Sequence, residues 1–520
     1  MTTLVLVRTG CYHDSARLMQ VSRELSSLPG VEEAVAMMGT ETNRRLLADA
    51  GFGGGKAASA TPLDMVVGLR AASAEALEAA RTALDALLSG RAGAPAAGSG
   101  GATPARPGSV AEALGERPGA NLVSVAVPGP YAAFVAHRAL DAGRSVFLFS
   151  DNVSVADEVA LKRRARSLGL LVMGPDCGTA ILSGVGLGFA NRVERGPAGI
   201  VGASGTGIQE LSCLLDRAGV GVSHAIGTGS RDLSEAVDGA MTEAGLALLA
   251  ADAGTRCALL VAKHPDARVA ARLHGLLAGL GKPVAVRYLG EGRRGVVDGV
   301  LYAGSLDEAA AAAAAWSGAE GLAAEAAGGS APAGSPGEAP AAHAGEGDGR
   351  LVGLFGGGSL AAEARCVLAA SGIETVVPDG KLAAGEPLPP GNLVVDTGDD
   401  AYTVGRPHPM VDQTVRCELI RAAGADLSVR VLLLDLVLGD GAHPDPAPEL
   451  VRCVVAARAA RGGRPLSVVA SVCGSRRDPQ GTARQEETLR RAGIHVTSSA
   501  AAAAAEAAAL LPAVHEEVAR

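Results

Sequence analysis

Short runs of hydrophobic residues alternate with longer Ala- and Leu-rich stretches in three blocks of the chain, residues 1–88, 109–316 and 350–520. The short runs are rich in β-branched residues and end in Gly, Pro, Asp or Asn, which predicts buried strands followed by turns. The longer stretches predict helices. Strands that alternate with helices in this way are typical of α/β domains with mainly parallel sheets.

Two Gly-, Ala- and Pro-rich segments, residues 89–108 and 317–349, separate the blocks and predict flexible linkers. In the first block the pattern predicts strands at 3–8, 31–38 and 64–70 and helices at 13–28 and 73–88. We interpret this block as a small α/β domain of ferredoxin-like type. Its glycine-rich run 51–56 lacks a preceding strand and a Ser or Thr after the Lys, so a loop is expected there.

Composition narrows the class of protein. Of the 520 residues 48% are hydrophobic, which excludes a chain that is disordered throughout, and the net charge of −9 argues against nucleic acid as a partner. No stretch predicts a membrane span, and Met1 leads directly into a strand without a secretory signal, so we expect a cytoplasmic protein. The eight cysteines form no CxxC pair, so free thiols are expected, with neither disulfides nor a metal site.

The most informative turn follows the predicted strand 198–203. Ser204, Gly205, Thr206 and Gly207 offer hydroxyl groups and closely approachable backbone N–H groups at a helix N-terminus, which favours a bound phosphate. The alternative is a tight turn in which Ser204 only caps the helix. A second small turn, 227–230 with Gly229, follows the next strand and is expected to face the same anion.

Other candidates follow strand ends, where ligands bind in doubly wound sheets. Glu210 either orients a reacting group or is an exposed acid in the first turns of its helix, and His264 is a candidate catalytic group. Gly356–Ala361 fits G-x-G-x-x-A, with Asp379 after the next strand, but is a weak dinucleotide fingerprint. The remaining candidates are the substrate ligands Asn152, Asp176, Arg476 and Arg477, the phosphate-binding Gly441 and Ala442, and the catalytic His443.

Several motifs together resemble known proteins. VPGPYAAFVAHRALDAG (127–143), GPDCGTAI (174–181), GIVGASGTGIQE (199–210) and GVSHAIGTGSRD (221–232) resemble the α subunit of succinyl-CoA synthetase. GLFGGGSLAAEA (353–364) and LLLDLVLGDGAHPDP (432–446) are similar to the carboxyl-terminal domain of its β subunit. The two halves in one chain, with GDGAHPDP and CGSRRDPQ (473–480), resemble the FdrA proteins.

The resemblance implies tandem flavodoxin- or Rossmann-like domains: a CoA-binding-like domain at 109–195, a ligase domain at 196–316 and a β-subunit-like domain at 350–520. It further implies that two helix N-termini, at Ser204–Thr206 and near Gly441–His443, share a phosphate, and that Glu210 matches a glutamate that supports a phosphorylated histidine. That histidine is missing, because residues 290–295 are GEGRRG. The nucleotide domain and the usual CoA-binding turn are also missing.

A phosphate-binding site without a phosphohistidine suits a substrate that carries its own phosphate. The resemblance implies an oxamate carbamoyltransferase that works with companion chains in purine and allantoin catabolism: oxalurate and phosphate give oxamate and carbamoyl phosphate. Phosphate or carbamoyl phosphate is then the ligand, no cofactor is required although CoA remains an option, and an oligomer is expected. The alternatives are an acyl-CoA synthetase and a non-catalytic sensor of phosphate or nucleotide.

Overall fold

A computed structural model describes residues 2–13, 15–88, 107–318, 349–378, 380–382, 386–403 and 407–511. The chain forms two compact units, the first comprising residues 1–108 and 402–412 and the second 109–401 and 413–520. Most of both predicted linkers, together with Asp379, lies outside the described residues. Within those residues, no helix is long and apolar enough to cross a membrane.

The first unit is built on a three-stranded antiparallel sheet of order β1-β3-β2. Leu18, Leu25, Leu69 and Leu84 are among the side chains that form its core between this sheet and the helices. The strands lie close to their predicted positions, but the sheet is antiparallel, unlike the mainly parallel sheets predicted for every block. A 3₁₀ turn at Gly55–Ser59 contains the end of the glycine-rich run. The elements are β1 (Thr2–Arg8), α1 (Ser15–Ser26), β2 (Val31–Met38), α2 (Glu41–Asp49), β3 (Met65–Ala71) and α3 (Ala74–Leu88).

The second unit begins with a small parallel sheet of order β4-β5-β6. Its strands are short, and their apolar side chains pack against the Ala-rich face of the helix that follows β4. The elements are α4 (Val110–Glu116), β4 (Leu122–Val125), α5 (Gly129–Asp141), β5 (Ser145–Leu148), α6 (Val155–Ser167) and β6 (Val172–Met173).

An eight-stranded sheet of order β13-β14-β12-β11-β9-β10-β7-β8 follows. Its five central strands are parallel, and antiparallel neighbours lie at both edges. The sequence assigned residues up to 195 to the preceding domain, but β7 and β8 pair within this sheet. The elements are β7 (Thr179–Leu182), β8 (Val185–Gly188), β9 (Ala198–Ala203), α7 (Gly205–Arg217), β10 (Val222–Gly227), α8 (Ala240–Ala251), β11 (Cys257–Lys263), α9 (Ala267–Ala278), β12 (Val284–Leu289), β13 (Gly295–Val297), β14 (Val300–Tyr302) and α10 (Leu306–Trp316).

The last sheet has six parallel strands in the order β16-β17-β15-β18-β19-β20. The predicted tandem arrangement of α/β layers with parallel sheets is thereby confirmed. The elements are β15 (Arg350–Phe355), α11 (Gly358–Ala370), β16 (Thr375–Val376), β17 (Asn392–Asp396), α12 (Asp400–Thr403), α13 (Thr414–Ala425), β18 (Val429–Val437), α14 (Pro446–Ala459), β19 (Ser467–Cys473), α15 (Thr482–Arg491), β20 (His495–Thr497) and α16 (Ala500–Ala509).

The two large sheets are joined by a buried seam, which we define by two contacts. Arg287 of β12 forms an ion pair with Glu363 of α11 at 2.7 Å, and both side chains are almost fully buried. Asn191 donates from Nδ2 to Asp478 Oδ2 at 2.7 Å. Because a buried charge is costly without its partner, these contacts fix the two halves against each other.

One expectation about the cysteines is wrong. Cys417 of α13 and Cys453 of α14 form a disulfide, although their separation of 36 residues gave no signal in the sequence. The remaining six cysteines are free thiols, as expected.

A candidate anion site at two facing helix N-termini

Helix α7 presents the predicted phosphate turn at the end of β9. Ser204 caps the helix, its Oγ accepting a hydrogen bond from Gly207 N at 3.2 Å. In the described part of the chain, the N–H groups of Gly205 and Thr206 have no protein acceptor. These two donors at the positive end of a 13-residue helix remain available to an anion.

The N-terminus of α11 meets this turn from the other half of the unit. The hydroxyl groups of Ser204 and Ser359 share a short hydrogen bond, and Ser359 N donates to Thr206 Oγ1 at 3.2 Å. Both serine side chains are buried. Two helix dipoles therefore point their positive ends at one place, which favours negative charge there.

The glycine turn before α11 already holds a carboxylate of the chain itself. Gly356 N and Gly357 N donate to the two oxygens of Asp435 at 2.7 and 2.8 Å, and Asp435 pairs with Arg416 at 3.1 Å. Burial raises the pKa of Asp435, and the Arg416 guanidinium opposes that shift. The dinucleotide fingerprint at Gly356–Ala361 therefore has these two amides occupied, and the available donors lie on the α7 side.

Lys263 and Asp396 complete the site, and the sequence prediction missed both. They stand at the ends of β11 and β17, and Lys263 Nζ lies 3.7 Å from Asp396 Oδ2. Their charged groups occupy the space beside Gly358, where an added Cβ would lie 2.6 Å from Lys263 Nζ and still closer to Asp396. Only the position of both residues at strand ends on a ligand-binding edge could have indicated them.

His264 follows Lys263 directly and is exposed. Its backbone is in the left-handed region, with φ of 35°, and its ring lies against Gly290. Gly290 begins the GEGRRG segment that stands where the resemblance implies a phosphohistidine. The structure therefore places one histidine beside that segment although the segment contains none.

The other helix N-terminus that the resemblance implies for the phosphate, near Gly441, does not contact Ser204 directly. Gly441 and Ala442 lie in the loop before α14, with Gly441 against the ring of Phe189. His443 is held locally: its Nε2 lies 3.2 Å from Glu449 Oε2, and its Nδ1 accepts a hydrogen bond from Asp445 N at 2.9 Å. The direct partner of the α7 turn is Ser359, which the sequence prediction did not select.

Glu210 is neither exposed nor directed toward the two serines. Its side chain is buried in the packing between α7 and α16, where Oε1 accepts a hydrogen bond from Ala500 N at 3.0 Å. Burial raises the pKa of Glu210 to about 7, against the opposing charge of Arg217. This contact caps α16, so the structure gives Glu210 a packing role.

Gly229, Asn152 and Asp176 belong to a neighbouring group of turns. Gly229 has φ of +85°, and a Cβ there would collide with the carbonyl oxygen of Pro175. Ser230 Oγ donates to Asp176 Oδ2 at 3.1 Å, and desolvation by the surrounding protein raises the pKa of Asp176 to about 6. Asn152 adopts a left-handed backbone with φ of 54°. The structure records no contact from these residues to Ser204 or Ser359 within the described ranges.

Arg476 and Arg477 are exposed in the loop after β19. Arg477 pairs with Glu194 at 2.7 Å, and no ion pair of Arg476 is recorded for the described residues. Asp478, next in the chain, is buried and accepts hydrogen bonds from Asn191 Nδ2 and Arg192 N, both at 2.7 Å. The CGSRRDPQ motif therefore forms part of the seam, with its two arginines outside it.

Comparison with known proteins finds a relative that covers nearly the whole chain. "Uncharacterized protein YahF" of Escherichia coli (strain K12) is 35% identical over 507 residues, which is 96% of this chain and 97% of the relative. Residues 1–104 match a family model described as "AllF, heavy metal-associated domain", and residues 354–510 match one described as "CoA-ligase".

Solved structures are more distant. The dinucleotide-forming acetyl-coenzyme A synthetase 1 of Ca. Korarchaeum cryptofilum is 18% identical, with a TM-score of 0.32 over 75% of this chain and 82% of the other. PH0766 of Pyrococcus horikoshii OT3 is 16% identical, with a TM-score of 0.32 over 75% and 83%. ATP citrate lyase of Methanothrix soehngenii is 16% identical, with a TM-score of 0.32 over 40% of this chain and 36% of that chain.

The name of the amino-terminal family raises the question of a heavy metal. In the described residues no group of three or more His, Cys, Asp or Glu side chains could hold a metal ion. Cys11 Sγ lies 3.5 Å from His13 Nε2, and this pair offers at most two metal ligands. The described residues therefore do not fit a metal centre with three or more protein ligands.

Proposed function

This chain belongs to the family of Escherichia coli YahF and matches a CoA-ligase family model over residues 354–510, and on that premise we propose that it transfers a carbamoyl group to or from inorganic phosphate. The proposed reaction is the phosphorolysis of oxalurate to oxamate and carbamoyl phosphate, or its reverse. We also propose that the chain is an FdrA-type protein that acts in an oligomer with companion chains.

The observation that carries this proposal is the pair of facing helix N-termini. Gly205 N and Thr206 N are available donors, and the hydroxyl groups of Ser204, Thr206 and Ser359 surround them. Such donors stabilise a phosphate both when it attacks and when it leaves, because they are already oriented before the charge develops. No residue of this group needs to carry the phosphoryl group covalently.

The GEGRRG segment supports the same class of reaction. It has no histidine to accept a phosphoryl group, and the histidine beside it, His264, directly follows β11 and is not part of the segment. A substrate that brings its own phosphate makes such a shuttle unnecessary. This favours a carbamoyl or acyl phosphate over a nucleotide.

The test is stabilisation by ligand in the full chain. Phosphate and carbamoyl phosphate at 100 times their Kd should raise the free energy of unfolding by about 2.7 kcal/mol. The Ser204→Ala/Thr206→Ala double variant should lose most of this increase. If phosphate stabilises the double variant as much as the wild-type chain, the assignment of the anion to this turn is wrong.

A matched control separates capping from ligand binding. Ser305 caps α10 by the same bond, its Oγ accepting from Glu308 N at 3.1 Å, outside the anion site. Ser305→Ala should lower stability by about 1 kcal/mol, as should the loss of the Ser204 cap. It should leave the increment produced by phosphate unchanged.

The second candidate is an acyl-CoA synthetase, which the CoA-ligase match at 354–510 favours. It predicts that CoA stabilises the chain. Stabilisation by CoA and none by carbamoyl phosphate would make this candidate the better one.

A further inference from the structure

We infer that Lys263 and Asp396 are the reacting pair of this site: Lys263 binds the phosphoryl group, and Asp396 carries the proton that moves to and from the substrate nitrogen. The inference rests on the proposed function and adds to it two residues that the sequence did not indicate. It starts from the incomplete environment of Lys263.

Lys263 has far fewer acceptors than its charge can use. An ammonium group has three donors, yet the structure gives Lys263 one carboxylate at 3.7 Å, beyond hydrogen-bond distance. Its side chain is 40% exposed to solvent. The ammonium group is therefore held near the α11 N-terminus with most of its donors available to a ligand.

The location makes an anion the natural acceptor. Lys263 Nζ approaches the first residue of α11, Gly358, whose missing side chain leaves room for it. The neighbouring Ser359 contacts Ser204 and Thr206 of the other helix terminus. A phosphate at these donors would lie beside a full positive charge in addition to the two helix dipoles.

Asp396 lies beside Lys263, where it can exchange a proton with a substrate bound at the same helix N-terminus. Its Oδ1 accepts a hydrogen bond from Gly398 N at 3.0 Å, while Oδ2 faces Lys263. Burial raises its pKa, Asp399 and Asp435 raise it further, and Lys263 opposes them; Arg365 is the other charge that acts on it. A carboxyl group whose pKa is raised in this way is suited to proton transfer.

The chemical step balances with this pair. In phosphorolysis an oxygen of hydrogen phosphate attacks the carbamoyl carbon of oxalurate, the C–O bond forms and the C–N bond to the oxamate nitrogen breaks. Asp396 donates a proton to that nitrogen as it leaves and recovers one from the hydrogen phosphate. The products are oxamate and carbamoyl phosphate, and no oxidant, metal or nucleotide is consumed.

The experiment measures binding of inorganic phosphate by calorimetry and turnover of oxalurate with phosphate in the full chain. Lys263→Met should weaken phosphate binding by about 10- to 100-fold, and Lys263→Arg should restore part of it. Asp396→Asn keeps a neutral side chain of similar size beside the phosphate but cannot exchange the proton, so phosphate should bind about as tightly as in the wild type. Turnover of this variant should fall at least 100-fold.

Control variants lie away from the site. Lys282 donates to two backbone carbonyl groups, of Leu249 and Asp252, and Asp298 pairs with His274. Lys282→Met and Asp298→Asn should leave phosphate affinity and turnover unchanged. Asn is well suited to position 298, where φ is 48°.

The outcomes distinguish a wrong role for Lys263 and Asp396 from a wrong proposed function. If Lys263→Met binds phosphate like the wild type while the Ser204/Thr206 double variant does not, the inference fails and the proposed function stands. If Asp396→Asn turns over like the wild type, Asp396 is not the proton carrier; if the wild-type chain shows no turnover, the carbamoyl transfer of the proposed function fails. If the wild-type chain does not bind phosphate, the proposed function itself fails.

Discussion

Two lysines of the second unit have opposite environments. Lys162 on α6 is 1% exposed and donates to Glu158, the Thr228 carbonyl oxygen and Asp232 at 2.7 to 2.8 Å. Lys263 is 40% exposed and has one carboxylate at 3.7 Å. Every donor of Lys162 is used inside the protein, whereas Lys263 keeps most of its donors for something else.

The difference indicates which charges serve the fold. The Glu158–Lys162–Asp232 group is completed by Thr242, whose N and Oγ1 donate to Asp232 Oδ2 at 2.8 and 2.7 Å. Thr228 lies in the same turn as Gly229, so this buried group fixes a turn that the sequence assigned to a ligand. Full satisfaction of a buried charge is typical of structural groups, and an incomplete set beside a helix N-terminus is typical of binding sites.

The largest change in the free energy of unfolding is expected on substitution of Lys162. Lys162→Met leaves Asp232 buried without its cation, while Glu158 keeps its pair with Arg231 at 2.9 Å. The variant should lower the free energy of unfolding by about 3–5 kcal/mol. Urea denaturation followed by circular dichroism measures the change. A loss below 1 kcal/mol would show that the buried group does not hold the fold.

Glu210 is a buried acidic residue. Its ionisation should give the next largest change in the free energy of unfolding. Its pKa rises from 4.5 to about 7 on folding, so the folded state retains a proton that the unfolded state has lost. The stabilisation is complete below pH 4.5 and is lost as the pH rises to about 7, about 3 kcal/mol in all.

Denaturation at several pH values compares the wild type with Glu210→Gln, which keeps an oxygen for Ala500 N. The decline between pH 4.5 and 7 should be reduced in the variant. Parallel profiles of the two proteins would mean that Glu210 is not the group that titrates.

Lys263→Met should change stability little, because a lysine that is 40% exposed and 3.7 Å from its carboxylate contributes about 0–1 kcal/mol. The expected result is an unfolding midpoint close to that of the wild type, together with weaker phosphate binding. A loss comparable to that of Lys162→Met would remove the distinction between the two lysines.

The smallest effect is expected at Arg477, whose pair with Glu194 is more than half exposed on both sides. Arg477→Ala should change the free energy of unfolding by no more than about 0.5 kcal/mol. Arg476→Ala, at the exposed neighbouring position, is the comparison. If either variant raises the KM for oxalurate, the sequence prediction that Arg476 and Arg477 bind the substrate is supported; if neither does, that prediction is wrong.

The sequence predicted the fold better than the site, for a physical reason. Buried strands such as Ala198–Ala203 and Val429–Val437 appear as apolar runs because all but one of their side chains are buried. The hairpin of β7 and β8 was missed because TAILSGVGLG has too many glycines to show an alternating pattern. Ser204 as a helix cap could be predicted because capping is local.

Ser359, Lys263 and Asp396 could not be found in the same way. Lys263 and Asp396 lie on strands of different sheets, and only the packing of those sheets brings them together. The pairing of Cys417 with Cys453 has the same origin, since two helices must first pack side by side. Conversely, His443 looked available because its contacts with Asp445 and Glu449 are invisible in a list of residues.

The seam has a consequence for how the two halves are made. It includes a buried ion pair, Arg287 with Glu363, and a buried amide–carboxylate bond, Asn191 with Asp478, so separating the halves would expose charges that fit only each other. Two polypeptides cut between residues 318 and 349 should therefore remain associated. Continuity of the chain adds a fixed one-to-one stoichiometry and makes assembly of the two halves independent of protein concentration.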